Sequence, residues 1–336
     1  MKGILLINLG SPESPKVTDV KKYLTEFLTD KYVIDMPFLL RHFLVRGIII
    51  PKRVRNSAKL YKSIWTEDGS PLIVHSKNLT SKVRLKSERP VALGMRYGNP
   101  SIKDAIIELK TKGVSEITVL PLYPQYAMST TQTVLEKVYE VVNEVAKEMI
   151  IKEIDPFYNN SLYINILSES IEKSINLEKT AHLLFSFHGI PERHIKKTDP
   201  TKSHCKIDGS CCITASEAHK NCYRHQCFET ARLVAEKLNL KEDFYTVAFQ
   251  SRLGKDPWLQ PYTSATIKDF PSKGIDKIAV VTPAFVSDCL ETIEEIGMEA
   301  KEDFLEAGGK EFHRIPCLNS DNDWADLIVN WAINKA

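Results

Sequence analysis

What most restricts the fold of this chain is a repeated alternation of two patterns. Short runs rich in Val, Ile and Leu, without the polar–apolar alternation of a half-exposed strand, are separated by longer stretches with helical spacing. The runs are Gly3–Leu9, Pro90–Gly94, Glu116–Pro121, Met149–Ile154, Ala181–Phe187, Tyr245–Phe249 and Lys277–Thr282. Unbroken apolar runs of this length suit parallel strands covered on both faces. Between them, Val20, Tyr23, Leu24, Phe27 and Leu28 share one helix face, and Ser101 with Asp104 makes a capping box whose helix Gly113 ends. Further helices are expected from Ser129 to about Lys147 and over Leu162–Ile175, Glu217–Leu238, Asp288–Leu305 and Asp323–Ile333. The fold class is therefore α/β, with helices flanking a doubly wound parallel sheet.

The chain has 336 residues, more than one hydrophobic core usually serves, so two domains are expected. An internal echo agrees: Lys112–Leu120 resembles Lys273–Val281, and each is followed by a proline, Pro121 and Pro283. Chance matching of helix–glycine–strand units gives the same echo, so it weighs lightly.

Charge excludes one class of partner. The net charge of +2 is spread without a basic patch, so nucleic acid is not expected. No apolar run is long enough to cross a bilayer. The apolar opening Ile4–Leu9 is broken by Gly10-Ser11-Pro12 and reads as a first strand rather than a signal peptide, which points to a cytoplasmic protein. There is no glycine-rich phosphate loop and no G-x-S-x-G elbow, which argues against nucleotide chemistry and hydrolases of that type.

Chemistry is expected just past strand ends, where open α/β sheets bind ligands. His188 sits there, after Leu183–Phe187 and before Gly189-Ile190-Pro191. A lone histidine is more often structural; it needs partners to do chemistry. Asp288, Glu291 and Glu295 fall on one helix face; ordinary helix capping accounts well for Asp288 but poorly for Glu295, and stacked carboxylates make sense if they bind a cation or share protons. Imidazole with hard carboxylate oxygens suits ferrous iron or another divalent metal. Tyr97, Tyr123, Tyr126 and Trp258 lie near strand ends, where aromatics wall ligands, although most aromatics only pack a core.

Two segments stand apart. Val33–Ile50 is strongly apolar, with Arg41, Arg46, Lys52, Arg53 and Arg55 in and after it. It reads either as a buried helix with a basic end or as an apolar lip over a large flat ligand, touching a membrane surface. Five of the seven cysteines form Cys205-x5-Cys211-Cys212-x9-Cys222-x4-Cys227, with His204, His219 and His225 between them. Such density points to a metal or an iron–sulfur cluster over unliganded thiols, although C-x2-C knuckles are missing.

Seven segments, in order, closely resemble the ferrochelatase family: Gly3–Pro12, Gly94–Tyr97, Tyr123–Thr131, Phe185–Pro191, Gln250–Gly254, Pro257–Leu259 and Ser287–Thr292. The resemblance implies two Rossmann-like domains, each a parallel sheet flanked by helices, with the active-site cleft between them. Residues 1–148 with 318–336 would form the first, and residues 149–317, carrying the cysteine-rich insertion 204–228, the second. It implies ferrous iron insertion into protoporphyrin IX, with His188 and Glu291 facing each other across the cleft as catalytic and iron-binding residues and Glu295 supporting Glu291. Leu9, Lys52, Arg53, Arg96, Tyr97, Tyr123 and Trp258 match substrate-binding or metal-route positions, Lys52 and Arg53 meeting a propionate. Cys289 replaces a histidine of some members and is given no catalytic role. Asn8-Leu9-Gly10 looks like members that use protoporphyrin rather than coproporphyrin. Met128 stands where animal members have a cysteine, and the C-terminal cysteine tail is lacking. A [2Fe-2S] cluster on four of Cys205, Cys211, Cys212, Cys222 and Cys227 is expected instead, as in bacterial members with an internal cluster. The partners expected are protoporphyrin IX, ferrous iron, a second copy in a homodimer and, peripherally, the inner membrane face. A chelatase for coproporphyrin or another tetrapyrrole, and a non-enzymatic porphyrin or metal carrier, are the alternatives; the carrier would not need His188 as proton acceptor.

Overall fold

Each apolar run of the sequence becomes a strand, and every strand pairing is parallel. The computed structural model describes residues 1–175, 182–254 and 256–334; Ala181, the expected start of the fifth strand, lies outside them. One sheet holds β1 (Lys2–Asn8), β2 (Val91–Met95), β3 (Glu116–Pro121) and β4 (Ile150–Glu153) in the order β2-β1-β3-β4. The other holds β5 (His182–His188), β6 (Tyr245–Gln250), β7 (Lys277–Val281) and β8 (Glu311–Arg314) in the order β6-β5-β7-β8. The two orders are the same pattern shifted by four strands. The sequence echo falls on equivalent strands, β3 and β7. Each is preceded by a glycine at positive φ, Gly113 at +78° and Gly274 at +81°, which closes the preceding helical turn where a side chain would be strained.

The chain divides into two compact units. The first comprises Met1–Leu122, Met128–Asp155 and Asn319–Ala336, and the second Tyr123–Ala127 with Pro156–Leu318. In the first, the Asn322–Asn334 helix returns to pack on the Pro71–Lys86 helix, burying Trp324, Leu327 and Ile328. Lys86 pairs with Asp326 at 2.6 Å, and the Arg89 guanidinium donates to the Ala332 carbonyl. In the second, Leu184, Ala248, Ile278 and Val280 of the sheet pack on Ile296, Ala300 and Phe304.

Several helices differ from the expected ones. The helix expected over Glu217–Leu238 is broken: a 3-10 turn covers Glu217–Asn221, Cys222 is extended, and the α-helix begins at Tyr223. The Cys222 thiol caps that helix by accepting from the His225 backbone N–H at 3.5 Å. The stretch from Ser129 opens with a π turn over Met128–Gln132, then runs as α-helix over Thr133–Val145. Between Asp288 and Leu305 the chain forms a π-helix over Glu291–Ala300, followed by α-helix from Lys301. The Val33–Ile50 segment is not a buried helix. It folds as Phe38–Phe43 helix, Leu44–Ile49 π turn and the start of the Ile50–Ile64 helix, leaving Phe38, Leu39 and Phe43 62 %, 79 % and 70 % exposed.

Candidate functional site

His188 ends β5, whose residues Leu183–Phe187 are all buried. Strand pairing with β6 continues to His188 opposite Gln250, so the histidine's backbone is fixed by the sheet. The next residue must be glycine: a Cβ at Gly189 would stand 2.8 Å from the Gln250 carbonyl. Gly189 donates its N–H to that carbonyl at 2.8 Å, and the Tyr223 hydroxyl donates to the His188 carbonyl at 2.8 Å. His188 Nδ1 lies 2.6 Å from the Gly189 carbonyl. A carbonyl can only accept, so Nδ1 carries the proton and Nε2 keeps its lone pair. The ring is flanked by Trp258 and Phe285, at centroid distances of 6.4 and 6.2 Å.

The acidic group arrives on the π-helix that follows β7. This wider i→i+5 turn is rare and commonly marks functional sites. Glu295 accepts from the Ser251 backbone N–H at 2.7 Å, the Ser251 hydroxyl, and Gln250 Nε2 at 3.1 Å. Gln250 also donates to the Glu291 carbonyl at 3.0 Å, tying the π-helix to the end of β6. Ser251 is held at φ +66°, a left-handed conformation uncommon for serine, which aims both its N–H and its hydroxyl at Glu295. Burial raises the proton affinity of Glu295; the hydrogen bond from Ser251 and the charge of His188 oppose the rise, and Glu291 adds to it. The Glu295 carboxyl is thus in electrical contact with both His188 and Glu291.

His188, Glu291 and Glu295 all belong to the second unit, His188 ending β5 and the carboxylates following its sheet neighbour β7. One expectation changes. Asp288 does not share the face of Glu291 and Glu295. It precedes the π-helix, is buried, and pairs with Arg314 at 2.6 Å while accepting from the Thr292 hydroxyl at 2.8 Å. Cys289 is buried, and its thiol hydrogen-bonds the Glu291 side chain.

The other expected substrate residues are placed variously. Trp258 is buried beside His188. Tyr123 is also buried, in a short segment anchored by Tyr126 N–H to Gln226 Oε1 at 2.7 Å and by Gln125 Nε2 to Thr230 Oγ1 at 3.1 Å. In the first unit, Arg96 and Tyr97 are gathered around Asp30: the Arg96 guanidinium pairs with it, the Tyr97 hydroxyl donates at 2.9 Å and the Thr133 hydroxyl at 2.6 Å. Burial pushes the Tyr97 phenol far above its ordinary range. Leu9 is half-buried at the end of β1, its carbonyl accepting from Tyr97 N–H at 2.9 Å. Lys52 and Arg53 are exposed on the first turn of the Ile50–Ile64 helix, and among the described residues neither has a carboxylate partner. Sequence reading gave no role to Gln250, Ser251, Tyr223, Phe285 or Asp30. Gln250 and Ser251 had a usable signal, because polar residues directly after a buried strand mark a strand end.

All five thiols of the cysteine-rich segment are free. Cys205, Cys211 and Cys222 line one small cavity with Asp199, His204 and His219. Hydrogen bonding from Cys212 lowers the Cys222 thiol below its ordinary range, and burial pushes Cys205 up. Cys211 and Cys212 interact with this pair electrostatically. Cys227 is fully buried in the helix, hydrogen-bonded to Tyr223 and in electrostatic contact with Cys222. His204 and His219 donate to the Cys211 carbonyl at 2.8 and 3.0 Å, and His225 to the Cys212 carbonyl at 2.7 Å. Among the described residues, no three His, Cys, Asp or Glu side chains converge as they would on a single ion.

Comparison with known proteins gives a consistent picture. The family model described as Ferrochelatase matches residues 1–336. Relatives named Ferrochelatase include one from Pseudomonas fluorescens SBW25, 47% identical over 327 residues, covering 97% of this chain and 95% of that one. Another, from Opitutus terrae, is 45% identical over 332 residues, covering 98% and 96%. Among solved structures, SirB from Bacillus subtilis with Fe3+ aligns with a TM-score of 0.57 at 10% identity, over 100% of this chain and 95% of that one. CbiX, described as the terminal enzyme for siroheme biosynthesis in denitrifying bacteria, aligns at 0.50 with 11% identity and 99% coverage of each. At these identities the structures speak for a chelatase-like fold alone.

Proposed function

This chain belongs to the ferrochelatase family, and from that premise we propose that it inserts ferrous iron into protoporphyrin IX to form haem, with His188 as proton acceptor and Glu291 and Glu295 as the carboxylates that receive iron or protons. A free porphyrin carries two N–H protons that must leave as iron binds the four ring nitrogens. The observation that carries the assignment is the 2.6 Å contact of His188 Nδ1 with the Gly189 carbonyl: a carbonyl can only accept, so Nδ1 is the donor and Nε2 is the lone pair left to accept a proton. Glu295, whose proton affinity burial has raised, can take a proton onward, and its bonds to Ser251 and Gln250 fix where that happens. Trp258 beside the imidazole and the buried Tyr123 supply flat apolar surface for the macrocycle. Lys52 and Arg53, exposed and uncommitted, suit a propionate.

The test is anaerobic iron insertion followed by loss of porphyrin fluorescence, with protoporphyrin and coproporphyrin in parallel. Turnover of protoporphyrin that disappears in His188→Ala supports the reading. Turnover of coproporphyrin alone moves the substrate, and turnover of neither overturns the activity.

The exposed Phe38, Leu39, Leu40 and Phe43, close in sequence to Arg46, Lys52 and Arg53, form an apolar edge with a basic margin, which suits peripheral contact with an anionic membrane face from the cytoplasmic side. Among the described residues, no helix is long and apolar enough to cross a membrane. Leu39→Asp with Phe43→Asp should abolish sedimentation with phosphatidylserine vesicles while leaving the melting temperature unchanged; undiminished sedimentation would refute the contact.

For a [2Fe-2S] cluster, the donor chemistry fits Cys205, Cys211 and Cys222, which line one cavity, and Cys212, hydrogen-bonded to Cys222, with the fully buried Cys227 as the spare. When bound, such a cluster supplies one-electron redox chemistry. Anaerobically purified protein should show iron–sulfur absorption that survives Cys227→Ser and vanishes in Cys222→Ser. Bands absent from the unaltered chain would end the proposal.

A further inference from the structure

The peptide unit joining His188 to Gly189 is held from both ends. Its N–H donates to the Gln250 carbonyl at 2.8 Å, which is sheet pairing. Its C=O accepts from the Tyr223 hydroxyl at 2.8 Å, which is not. Tyr223 is the first residue of the Tyr223–Lys237 helix and follows the capping residue Cys222, so the hydroxyl comes from the cysteine-rich segment, 35 positions away in sequence. It is buried, and Cys227 on the next turn hydrogen-bonds the same phenol. The helix itself is registered against the second unit at two further points, by Gln226 to Tyr126 N–H and by Thr230 to Gln125. A phenol mounted this way has little freedom to follow the carbonyl if the peptide rotates.

That peptide controls the imidazole. The Gly189 carbonyl, in the next peptide unit along the chain, is what fixes the proton on His188 Nδ1. A rotation of the His188–Gly189 peptide shifts Gly189 and with it the acceptor that sets the tautomer. Sheet pairing alone restrains one end of the unit, and Gly189 offers the least steric resistance to such a rotation.

We propose that Tyr223 is a positioning residue for the chelation reaction, its hydroxyl holding the His188–Gly189 peptide so that Nδ1 stays protonated and Nε2 stays available. This rests on the reading of His188 as proton acceptor. Tyr223→Phe keeps the ring and removes only the hydroxyl, so the fold is retained; its melting temperature checks this. The loss of one buried hydrogen bond from the reacting arrangement should lower kcat by about fivefold. The KM for protoporphyrin should not move, because the ring packing is preserved. The 15N signals of the His188 imidazole, identified by their absence in His188→Ala, should shift toward a mixture of tautomers. A Tyr139→Phe control, which removes an exposed phenol bonded to Glu153 in the first unit, should change none of these. If Tyr223→Phe is folded and keeps wild-type kcat and wild-type imidazole signals while His188→Ala is inactive, the proposal is overturned and the His188 reading survives. If His188→Ala itself turns over normally, the underlying reading fails instead.

Discussion

At the scale of single residues, the candidate site depends on how few orientations are left to its side chains. His188 has one ring nitrogen tied down and one free, and it stands on a strand whose preceding residues are buried. His188→Ala should reduce iron insertion by at least about a hundredfold, the usual contribution of a positioned proton acceptor. Glu295 is aimed by Ser251, whose backbone already occupies a left-handed conformation. Ser251→Gly should therefore keep the backbone and lose only the hydroxyl bond, lowering kcat by about threefold to tenfold in steady-state assays without lowering thermal stability. An unchanged kcat would mean that the hydroxyl does not orient the carboxylate.

At the scale of elements, the π-helix and its anchorage matter most. Its approach is pinned by the buried Asp288, which is held by Arg314 from β8 and by Thr292. Gly297 sits where a Cβ would come within 3.0 Å of the Arg314 side chain, so the arginine also packs along the helix. Arg314→Met leaves Asp288 buried without its counter-charge and should cost about 2 kcal/mol in urea unfolding. Within β5, burial holds the His182 imidazole below its ordinary range, so the folded state favours the neutral ring. The unfolded chain takes up that proton first as pH falls. Its contribution to stability is intact above about pH 6.5 and is lost as pH drops through the lowered folded value. His182→Asn should flatten this slope in melting temperatures taken from pH 7.5 to 5; an unchanged slope would assign it to other groups.

At the scale of the whole molecule, one sheet pattern is used twice, and each unit closes its own core. The first unit is completed only by the chain end, where Trp324 is wholly buried on the Asn322–Asn334 helix. Trp324→Ala should destabilise that unit by about 3–5 kcal/mol. The effect should appear in hydrogen exchange as lost protection in β1 and β3, with β5 and β7 unaffected. Equal loss in both sheets would mean that the units unfold together.

Elements whose stability is local or nearly so could be read from the residues alone. The apolar runs became parallel strands because a strand covered on both faces needs apolar residues at every position. The Ser101–Asp104 box capped its helix because both partners lie within one turn. His188 and Glu291 were legible as candidates because strand ends and acidic helix starts are local signals. Features that depend on distant partners were settled by packing. Edge strand β8, Glu311–Arg314, has no apolar run and is a strand because β7 lends it hydrogen bonds. Whether Val33–Ile50 was buried or exposed turned on what else reached it, which hydrophobicity alone does not encode. The pairing of Asp288 was hidden because its partner Arg314 is 26 residues away. Ser251 with Glu295 and Tyr223 with His188 span 44 and 35 residues. Such polar pairs leave no periodic trace in a sequence: a hydrogen bond requires two groups to meet in space, and only the packed sheets bring these together.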